Sequence, residues 1–589
     1  MRYCSIPPTS ILDLPDGRIV AVSGSSSAPS FHTKRLISII DICRYLRSLP
    51  DHGKEVSAKL GLSFDAAMSE LESAQMSGLL LSEEYLMRNL PKSDGARVPI
   101  SSVALLTRDR PVVFDRCISS IMENCREWGH SPGFLVIDDS TTQESLRENE
   151  RIARRVANTF GFSVGYANPC DRERFARETQ RAGVRIEIAR FACCNPLERP
   201  VSTGAVRNAI LLETQGSTTI SLDDDTVCNF AVLPFSVPRE LTLGSIIDPT
   251  ELWFPDEVQN LPMQTLDYLE LHSQLLGRSL GSIVAASGST MKVGPLTPML
   301  MAKLGNERSR VTISTTGYVG DSGAPSPAGY LTRGGETRKR LTESVGVYQR
   351  AMRDRTILRT PRQVTISDVG ITMGINLGLD LRDWMPPPFL PVQRGQDLLF
   401  SVMSNRVCDY ALTGFLPAGL WHLPNTREYS QTALEGDTAG VYTAPFITYL
   451  FNLGLSPESK GKSALNRFAM ELQYLGGLPK ADFHDFCQVN ATRYLCLQLK
   501  NLCRLLNENC NSPDYWRYDV RRMVESLETR LATAELGSIV DLGDTEDPVS
   551  AAQMVFAYFG ALLDSWECIV ETARAVRESD GSAFSRRCQ

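Results

Sequence analysis

The sequence predicts an α/β protein in which a mainly parallel sheet forms the centre and helices flank it. Between residues 98 and 230, short apolar strand-like runs alternate with segments that carry apolar residues at helical spacing, an alternation typical of parallel sheets. A small mixed unit precedes this region, and residues 431–589 show almost only helical periodicity. We therefore predict three domains, at residues 1–92, 98–430 and 431–589, with a polar, glycine-containing linker at 91–98.

Composition and charge predict a globular protein with neither a nucleic-acid nor a membrane signature. The chain has 589 residues and a net charge of −7, whereas a nucleic-acid-binding protein usually carries a basic excess that neutralises phosphates. Its 15 cysteines contain no CxxC pair, which favours free thiols in a reducing compartment. We find no signal-peptide pattern and no uninterrupted apolar segment of spanning length. We expect a cytoplasmic protein with no nucleic-acid partner and no membrane insertion.

The N-terminal unit has the pattern of a winged helix-turn-helix. Residues 17–33 form two β-rich runs around a Gly/Ser stretch, which predicts a hairpin. Two later helical segments meet at a glycine-containing turn, where Ser63 is the expected N-cap of the second helix. That second helix carries Asp65, Glu70 and Glu72 and no basic residue, which disfavours its insertion into the major groove of DNA.

The succession of hairpin, helices and short strand resembles the PqqD-like leader-binding domains of peptide-modifying enzymes. Those domains capture a precursor peptide as an added strand at the exposed edge of the hairpin. The resemblance therefore implies that this unit holds a peptide substrate. A purely structural cap on the rest of the chain is the alternative, because short winged-helix patterns are common.

Polar residues follow two strands of the predicted parallel sheet, at the points where the strands end. The first strand ends at Thr107 and Arg108, and the second ends at Asp138 and Asp139. Ligands of parallel α/β sheets bind beyond the carboxyl ends of the strands, so these four side chains are candidates for a ligand site. Taken alone, the two aspartates could instead cap the helix that follows them.

A second cluster of polar residues lies further along the chain. Arg207 and Asn208 stand at the start of a predicted helix, and the next strand leads directly into Asp223, Asp224 and Asp225. Three adjacent carboxylates repel one another, and burying them unpaired is costly. Hard oxygen ligands of this kind suit Mn²⁺ or Mg²⁺, which often bridge carboxylates to substrate phosphates. A solvated acidic turn is the alternative interpretation.

Four motifs occur in the order TRDRP, VIDDS, GxxRN and DDD, each at a strand end or a helix start. Together they resemble the motifs of family-two, inverting glycosyltransferases of the A-type fold. In that fold a Rossmann-like mixed sheet binds a nucleotide sugar. The resemblance covers residues 98–230 and 370–425. The donor-binding positions that it implies are Thr107, Arg108, Asp138, Asp139, Arg207, Asn208, Asp223 and Asp224. It also implies that Asp223 and Asp225 hold a divalent metal ion, which acts as a Lewis acid on the leaving nucleoside diphosphate.

An inverting transfer also needs a general base on the acceptor side. Family members place an acid there, after a proline-rich loop and before an apolar helix, and Asp397 matches that position. The preceding residue is often acidic in the family, but here it is Gln396, so a like charge that would raise the pKa of the base is missing. An acid that favours the helix dipole is the alternative role of Asp397. His422 matches a position where some family members complete the metal site, and a structural role is its alternative.

Three less specific features lie between these motifs. Residues 318–323 have the composition of a glycine-rich turn that approaches the sugar or the acceptor. Residues 333–362 contain many Arg and Lys side chains, Arg355 among them. We expect these side chains to face a diphosphate, an acidic peptide or solvent. The distance along the chain from Asp225 to Asp397 exceeds that expected for the family, which suggests an inserted lid.

Together these features predict a metal-dependent glycosyltransferase. The expected donor is a UDP-sugar, and the expected acceptor is a Ser, Thr or Cys side chain of a ribosomally made precursor peptide. A polysaccharide or lipid-linked acceptor and a non-enzymatic winged-helix regulator are the alternatives; a nucleotidyltransferase is disfavoured because no Gly/Lys-rich phosphate loop follows the first strand. The helices of residues 431–589 are expected either to pack on the core or to form a homodimer.

Overall fold

The computed structural model has the mixed α/β class that the sequence predicts: a large sheet of parallel and antiparallel strands is packed between helices. All 15 cysteines are free thiols, as predicted. Within the described ranges no helix is both long enough and apolar enough to cross a membrane. The structure describes residues 1–8, 10–22, 29–90, 97–233, 240–287, 291–424, 427–430, 432–438, 440–454, 461–533 and 547–588; most of the predicted linker lies outside them.

The N-terminal unit combines two small antiparallel sheets, ordered β2-β3-β4 and β5-β1-β6, with short helices. The predicted hairpin is confirmed by the pairing of β3 with β4, although the turn between them lies outside the described residues. The elements are β1 (Arg2–Ser5), β2 (Ser10–Asp13), β3 (Arg18–Val22), β4 (Pro29–Thr33), α1 (Arg35–Ile42), β5 (Arg47–Ser48), α2 (Leu49–Leu60), α3 (Phe64–Met76), β6 (Leu80–Ser82) and α4 (Glu83–Arg88).

The predicted helix-turn-helix is also confirmed. Helix α2 ends at Gly61, whose φ of 65° is the left-handed conformation that glycine adopts most easily. The hydroxyl of Ser63 then accepts a hydrogen bond of 3.2 Å from the backbone N–H of Ala66 and so caps α3. This unit has its own apolar cluster, but Cys4 and Leu86 pack with residues of the large sheet in a second one. The unit is therefore docked on the core.

The first half of the core is a parallel sheet with the strand order β9-β8-β7-β10. Its helices α5 and α6 pack on one face of the sheet, and α7, α8 and α9 pack on the other. The elements are β7 (Ser102–Thr107), α5 (Pro111–Glu127), β8 (Gly133–Asp138), α6 (Gln143–Phe160), β9 (Val164–Ala167), α7 (Pro169–Arg181), α8 (Ile186–Cys193), α9 (Thr203–Glu213), β10 (Thr218–Asp223) and β11 (Thr226–Ala231).

The second half of the core continues the same sheet beyond β10 with antiparallel and parallel pairs. Strand β19 pairs antiparallel with both β10 and β16, and β16 pairs parallel with β20. The elements are β12 (Leu241–Leu243), β13 (Glu251–Trp253), a 3-10 turn (Val258–Asn260), β14 (Met263–Gln264), α10 (Tyr268–Ser273), α11 (Leu280–Ser287), β15 (Met291–Val293), α12 (Pro298–Leu304), β16 (Arg310–Asp321), α13 (Ala328–Leu331), α14 (Gly335–Leu341), α15 (Val345–Arg353), β17 (Thr356–Thr360), β18 (Val364–Ser367), β19 (Asn376–Asp380), α16 (Gln396–Val407) and β20 (Ala411–His422).

One prediction for this half is wrong. The segment 318–323 is mostly strand rather than a turn, because β16 runs to Asp321. Gly320 serves close strand packing, since a Cβ there would lie 2.2 Å from the carbonyl oxygen of His422. The long stretch before Asp397 supplies β11 to β19 of the large sheet and their connections, and its origin as an insertion into the family's fold stays a prediction.

The C-terminal region is helical, as predicted, apart from a short final strand that pairs antiparallel with β9. Helix α22 packs on α7, α8 and α9, and one apolar cluster joins these helices to the core. Of the two predicted alternatives, packing on the core is therefore present. The elements are α17 (Ala433–Thr438), α18 (Thr443–Gly454), α19 (Gly461–Gly476), α20 (Lys480–Glu508), α21 (Asp514–Ala532), α22 (Pro548–Asp580) and β21 (Arg586–Arg587).

One buried histidine makes the stability of this core depend on pH. His272 of α10 is fully buried, and its Nδ1 lies 2.8 Å from the hydroxyl of Ser314. Burial lowers the pKa of His272 from 6.5 to about 3. The unfolded chain thus binds a proton that the native protein does not, so the stability is complete above pH 6.5 and is lost as the pH falls towards 3.

We expect the unfolding temperature of the wild type to fall more steeply between pH 6.5 and pH 4 than that of His272→Gln. The difference in slope can reach about 1.4 kcal/mol per pH unit. The measurement is thermal unfolding of both proteins across this pH range. His484→Gln, on the surface of α20, should keep the wild-type slope, and an unchanged slope in His272→Gln would show that His272 does not carry the effect.

Candidate active site

The two predicted polar clusters meet at one edge of the sheet. Strands β8 and β9 continue the sheet on one side of β7, and β10 lies on the other, so the strand order reverses between β7 and β10. Open α/β sheets bind ligands at such a switch point, beyond the carboxyl ends of the strands. Thr107 ends β7 and Asp223 ends β10. The hydroxyl of Thr107 donates a hydrogen bond of 2.7 Å to Asp224 and ties the two ends together.

Asp224 is a buried anchor of this edge. One of its carboxylate oxygens accepts the hydrogen bond from Thr107, and the other accepts one from the guanidinium of Arg110. Burial raises the pKa of Asp224 to about 7, although the charge of Arg110 opposes the shift. Because the side chain is fully buried with both oxygens bonded, the geometry does not support its predicted contact with the donor sugar.

Asp225 and His422 form the next pair. Strand β20 runs antiparallel to β11 and places His422 opposite Thr226, next to the aspartates. Nε2 of His422 lies 3.3 Å from Oδ1 of Asp225. Nδ1 of the same ring donates a hydrogen bond of 2.6 Å to the carbonyl oxygen of Asp321, since a carbonyl can only accept.

This geometry makes the Asp225–His422 pair a site for positive charge. With the proton on Nδ1, a neutral His422 directs the lone pair of Nε2 at a carboxylate oxygen, which is repulsive unless a proton or a cation lies there. Oδ1 of Asp225 is buried and accepts no aligned hydrogen bond from the described residues. Burial opposes ionisation of both groups, but the His422 and Arg110 cations lower the pKa of Asp225, and Asp225 raises that of His422.

Asp321 holds His422 in this orientation. Nε and Nη2 of Arg355 donate to its carboxylate at 2.8 and 2.9 Å. Burial would raise the pKa of Asp321, but the hydrogen bonds from Arg355 outweigh burial and keep it below its usual range. Arg355, from the predicted basic stretch, therefore forms an internal ion pair and acts on the site through Asp321.

Arg207 links Asp223 to Asp397. It is buried in α9, and its Nη2 donates a hydrogen bond of 2.7 Å to Asp223. Its Nε lies 3.8 Å from Oδ1 of Asp397. Burial raises the pKa of Asp223 to about 6 against the opposing charge of Arg207, and the nearby charges of Asp225 and Asp397 add to the increase. The structure thus brings these four predicted residues into one site.

Asp397 stands in the first turn of α16 with one oxygen hydrogen-bonded and the other buried without a hydrogen bond. Oδ2 accepts a hydrogen bond of 3.0 Å from the backbone N–H of Gly374, and Oδ1 has no hydrogen-bond partner among the described residues. A Cβ on Gly374 would lie 2.3 Å from Nη2 of Arg207 and 2.7 Å from Oδ1 of Asp397. Glycine at this position therefore allows Arg207 and Asp397 to approach each other.

A second polar group borders the site beyond Thr107. Asp139 accepts hydrogen bonds from the buried Arg172 and from Ser202. Nη1 of Arg108 lies 3.7 Å from Asp139 and donates to the hydroxyl of Ser202 at 3.0 Å. About a third of the Arg108 side chain is exposed (33%). Arg108 thus keeps exposed surface beside the site, whereas both carboxylate oxygens of Asp139 are bonded inside the protein.

Asp138, by contrast, is turned away from the site. It is fully buried, and its carboxylate accepts hydrogen bonds from the backbone N–H of Ser140 at 2.8 Å, Asn149 at 2.9 Å and the hydroxyl of Tyr166 at 2.6 Å. Burial raises its pKa, and these hydrogen bonds oppose the increase. With both oxygens bonded inside the protein, the geometry does not support its predicted contact with the nucleotide.

Asn208 has a structural role beside the site. Its amide donates to the carbonyl oxygens of Ala192 at 2.9 Å and Phe389 at 3.1 Å, and it accepts from the N–H of Phe389 at 2.8 Å. The proline-rich loop before Asp397 is thereby fixed to α9. The geometry supports this clamp rather than the predicted nucleotide contact.

Gly204→Ala should displace this loop. A Cβ on Gly204 would lie 1.9 Å from the carbonyl oxygen of Leu390, a backbone atom that cannot turn aside. We expect a loss of about 1–3 kcal/mol in the free energy of unfolding, the usual cost of overpacking, measured by chemical denaturation. Gly329→Ala, whose Cβ meets nothing within 4 Å, is the control and should be near neutral. Equal stability of the two variants would contradict the contact.

Sequence reasoning missed three residues of the site. Arg110 binds Asp224 and Asp225. Its position in the TRDRP motif could have identified it as a site residue. Arg172 and Gly374 act on Asp139 and Asp397. Nothing in their local sequence indicates this, because the contacts join elements far apart in the chain.

The donor chemistry of the site fits a hard divalent cation. Carboxylates of Asp223 and Asp225 with an imidazole nitrogen of His422 are ligands that Mn²⁺ accepts. The hydrogen bond from Nδ1 of His422 to a backbone carbonyl is the outer-shell contact usual for a metal-binding histidine. Among the described residues, however, no three His, Cys, Asp or Glu side chains are already arranged as a metal-binding group.

Fold and site together define a mixed α/β protein with a cluster of charged side chains at the switch point of its sheet. Comparison with protein-family models, with curated proteins and with solved structures finds no match. The functional argument therefore rests on the residues of this chain: an acidic cluster with a cation position, a carboxylate oxygen of Asp397 without a hydrogen bond and polar side chains beside Thr107.

Proposed function

We propose that this chain is a metal-dependent glycosyltransferase that moves a sugar from a nucleoside-diphosphate donor, with a UDP-sugar the expected one, to an acceptor. The observation that carries the proposal is the Asp225–His422 pair, a buried position for positive charge, at the same sheet edge as Asp397, one carboxylate oxygen of which has no hydrogen-bond partner among the described residues. A reaction that expels a diphosphate needs positive charge on one side and a proton acceptor on the other.

The donor would lie across the switch point. The base and ribose would lie beside Thr107, Arg108 and Asp139, and the diphosphate would approach Asp223 and Asp225. A Mn²⁺ or Mg²⁺ ion bound there, with His422 as a further ligand, would neutralise the leaving diphosphate as a Lewis acid. The ion pair to Arg207 holds Asp223 in place for this contact.

Asp397 would serve as the general base. The acceptor oxygen or sulfur forms a bond to the anomeric carbon and passes its proton to the carboxylate of Asp397. The bond between that carbon and the diphosphate oxygen breaks, and the nucleoside diphosphate leaves with the electron pair. This single displacement inverts the configuration at the anomeric carbon. The hydrogen bond from Gly374 fixes the orientation of the Asp397 carboxylate.

The N-terminal unit supports a peptide acceptor. Strand β4 pairs with β3 on one side, and on the other it pairs with no described strand. Phe31 of β4 and Leu12 of β2 are 60% and 65% exposed, and exposed apolar side chains beside an open strand edge suit the addition of a peptide strand. We propose that a leader segment binds here while a Ser, Thr or Cys side chain of the same peptide reaches Asp397.

Thermal unfolding with nucleotides tests the donor site. We would screen UDP, GDP, CDP and TDP and the common UDP- and GDP-sugars, each with and without Mn²⁺. A ligand that binds only the folded state raises the unfolding temperature, so a metal-dependent rise with one nucleotide is the expected result. No rise with any nucleotide in the presence of Mn²⁺ would overturn the proposed function.

A further inference from the structure

Arg110 supplies the positive charge beside the acidic cluster formed by Asp223, Asp224 and Asp225. Its Nη1 donates a hydrogen bond of 2.9 Å to Oδ2 of Asp225, and its Nη2 donates to Oδ1 of Asp224. The residue directly precedes α5, at the end of the turn that follows β7. The one guanidinium thus neutralises two adjacent buried carboxylates, one of which is a proposed metal ligand.

The guanidinium is paired but not enclosed. About 40% of the Arg110 side chain is exposed, whereas the carboxylates of Asp224 and Asp225 are 0% and 9% exposed. Unpaired buried carboxylates are costly, so Asp225 requires a counter-charge, whereas Asp224 keeps the hydrogen bond from Thr107 when Arg110 leaves. Arg110 can leave towards the open side of the site only when another cation takes its place.

We propose that Arg110 is an exchangeable counter-ion: it holds Asp224 and Asp225 in the free protein and moves to the diphosphate of the donor when a divalent metal ion binds Asp225. This inference rests on the proposed function and adds a binding order to it. A guanidinium suits the second position as well as the first, because its paired N–H groups match phosphate oxygens as they match carboxylates.

The exchange makes metal and nucleotide bind together. Without a diphosphate, a metal ion competes with Arg110 for Asp225, so metal alone binds weakly. With a diphosphate present, Arg110 has an alternative partner, and the same metal ion meets a free carboxylate. This difference is a coupling free energy, so each ligand must tighten the other by the same factor. The arrangement also agrees with the lack of a ready-made metal-binding group among the described side chains.

The test is a Mn²⁺ titration of the full chain, followed by the electron paramagnetic resonance signal of the free ion, with and without UDP. In the wild type we expect UDP to tighten Mn²⁺ binding about 5–150-fold, the usual range of such coupling. In Arg110→Gln we expect tighter Mn²⁺ binding than wild type without UDP, and a coupling reduced to less than about threefold. Arg126→Gln, in the last turn of α5 with its guanidinium over Phe160, is the matched control and should behave as wild type.

The experiment distinguishes failure of the Arg110 exchange from failure of the proposed function. If UDP binds with Mn²⁺ but Arg110→Gln shows wild-type affinity and coupling, the exchange is wrong and the proposed function stands. If no nucleotide binds wild type or variant, the proposed function fails; tighter Mn²⁺ binding by Arg110→Gln would then still show that Arg110 competes for the cation position, whereas unchanged binding would overturn the inference as well.

Arg110→Lys decides the question if Arg110→Gln does not fold. Lysine keeps the positive charge but lacks the two-pronged group that reaches both carboxylates at once. We expect its Mn²⁺ affinity without UDP to exceed that of the wild type, and Mn²⁺ alone to raise its unfolding temperature more than it raises that of the wild type. Equal affinity and an equal rise in both proteins would contradict the exchange.

Discussion

Asp225→Ala is expected to abolish metal-dependent nucleotide binding, with a loss of about 100-fold or more in the affinity of Mn²⁺ and UDP for the protein. The substitution removes the buried oxygen that faces Nε2 of His422 at 3.3 Å. Asp223 is then the only carboxylate left among the proposed metal ligands, and one carboxylate near the charge of Arg110 holds a divalent cation weakly. Calorimetric titration of UDP with Mn²⁺, and again with excess EDTA, measures the effect. The variant and the EDTA-treated wild type should bind UDP equally weakly.

Asp380→Ala is the matched control for that experiment. Asp380 is also a buried aspartate between two arginines, with Arg310 Nε at 2.9 Å and Arg382 Nε at 2.8 Å. It lies at the far end of β19, opposite Thr218 at the start of β10. Its loss should lower the unfolding temperature yet leave Mn²⁺ and UDP binding intact. Full Mn²⁺-dependent UDP binding by Asp225→Ala would remove Asp225 from the metal site.

The parts of the fold that could be predicted from the sequence are those set by local chemistry. Ser63 caps its helix, Gly61 ends the preceding one, and the apolar run before Asp223 forms a buried strand. Strand–helix alternation then implies parallel pairing, which places Thr107 beside the aspartates. Each of these steps depends on residues that are neighbours in sequence or on a general rule of chain topology.

The geometry of single side chains could be predicted only in part. Asp138 and Asp139 are adjacent, yet the first is bonded inside the protein and the second borders the site, because successive residues of an extended chain point to opposite sides. Arg207 and Asn208 are likewise adjacent on α9 and point in different directions, one to Asp223 and the other to the proline-rich loop. The motif alone does not say which member of each pair faces the ligand.

The remaining features of the site depend on pairing between distant segments, so they could not be predicted from the sequence. The position of His422 depends on β20 lying antiparallel to β11, and that of Asp397 depends on the backbone N–H of Gly374. Both contacts join segments that no local pattern connects. The ion pairs of Arg110 show the same limit, since they join residues 115 and 114 positions apart and the motif does not indicate that one guanidinium bridges two aspartates.

Asp397→Asn is expected to lower the turnover of the enzyme about 10²–10⁴-fold, the usual contribution of a general base, and to leave donor binding within about twofold. The asparagine carbonyl can still accept the hydrogen bond from Gly374, so the start of α16 should keep its geometry. Only the negative oxygen that takes the acceptor proton is lost. UDP release from a UDP-sugar measures turnover, first with water as the acceptor and then with the precursor peptide as the acceptor. Titration of UDP in the presence of Mn²⁺ measures donor binding.

The competing explanation is that Asp397 only stabilises its helix, because an acid in the first turn favours the helix dipole. Asp482 occupies the first turn of α20, away from the site, so Asp482→Asn measures that contribution separately. If the two variants lose similar stability but only Asp397→Asn loses turnover, the base assignment holds. Wild-type turnover in Asp397→Asn would place the proton acceptor elsewhere, and the Asp397 oxygen without a hydrogen bond would then need another role.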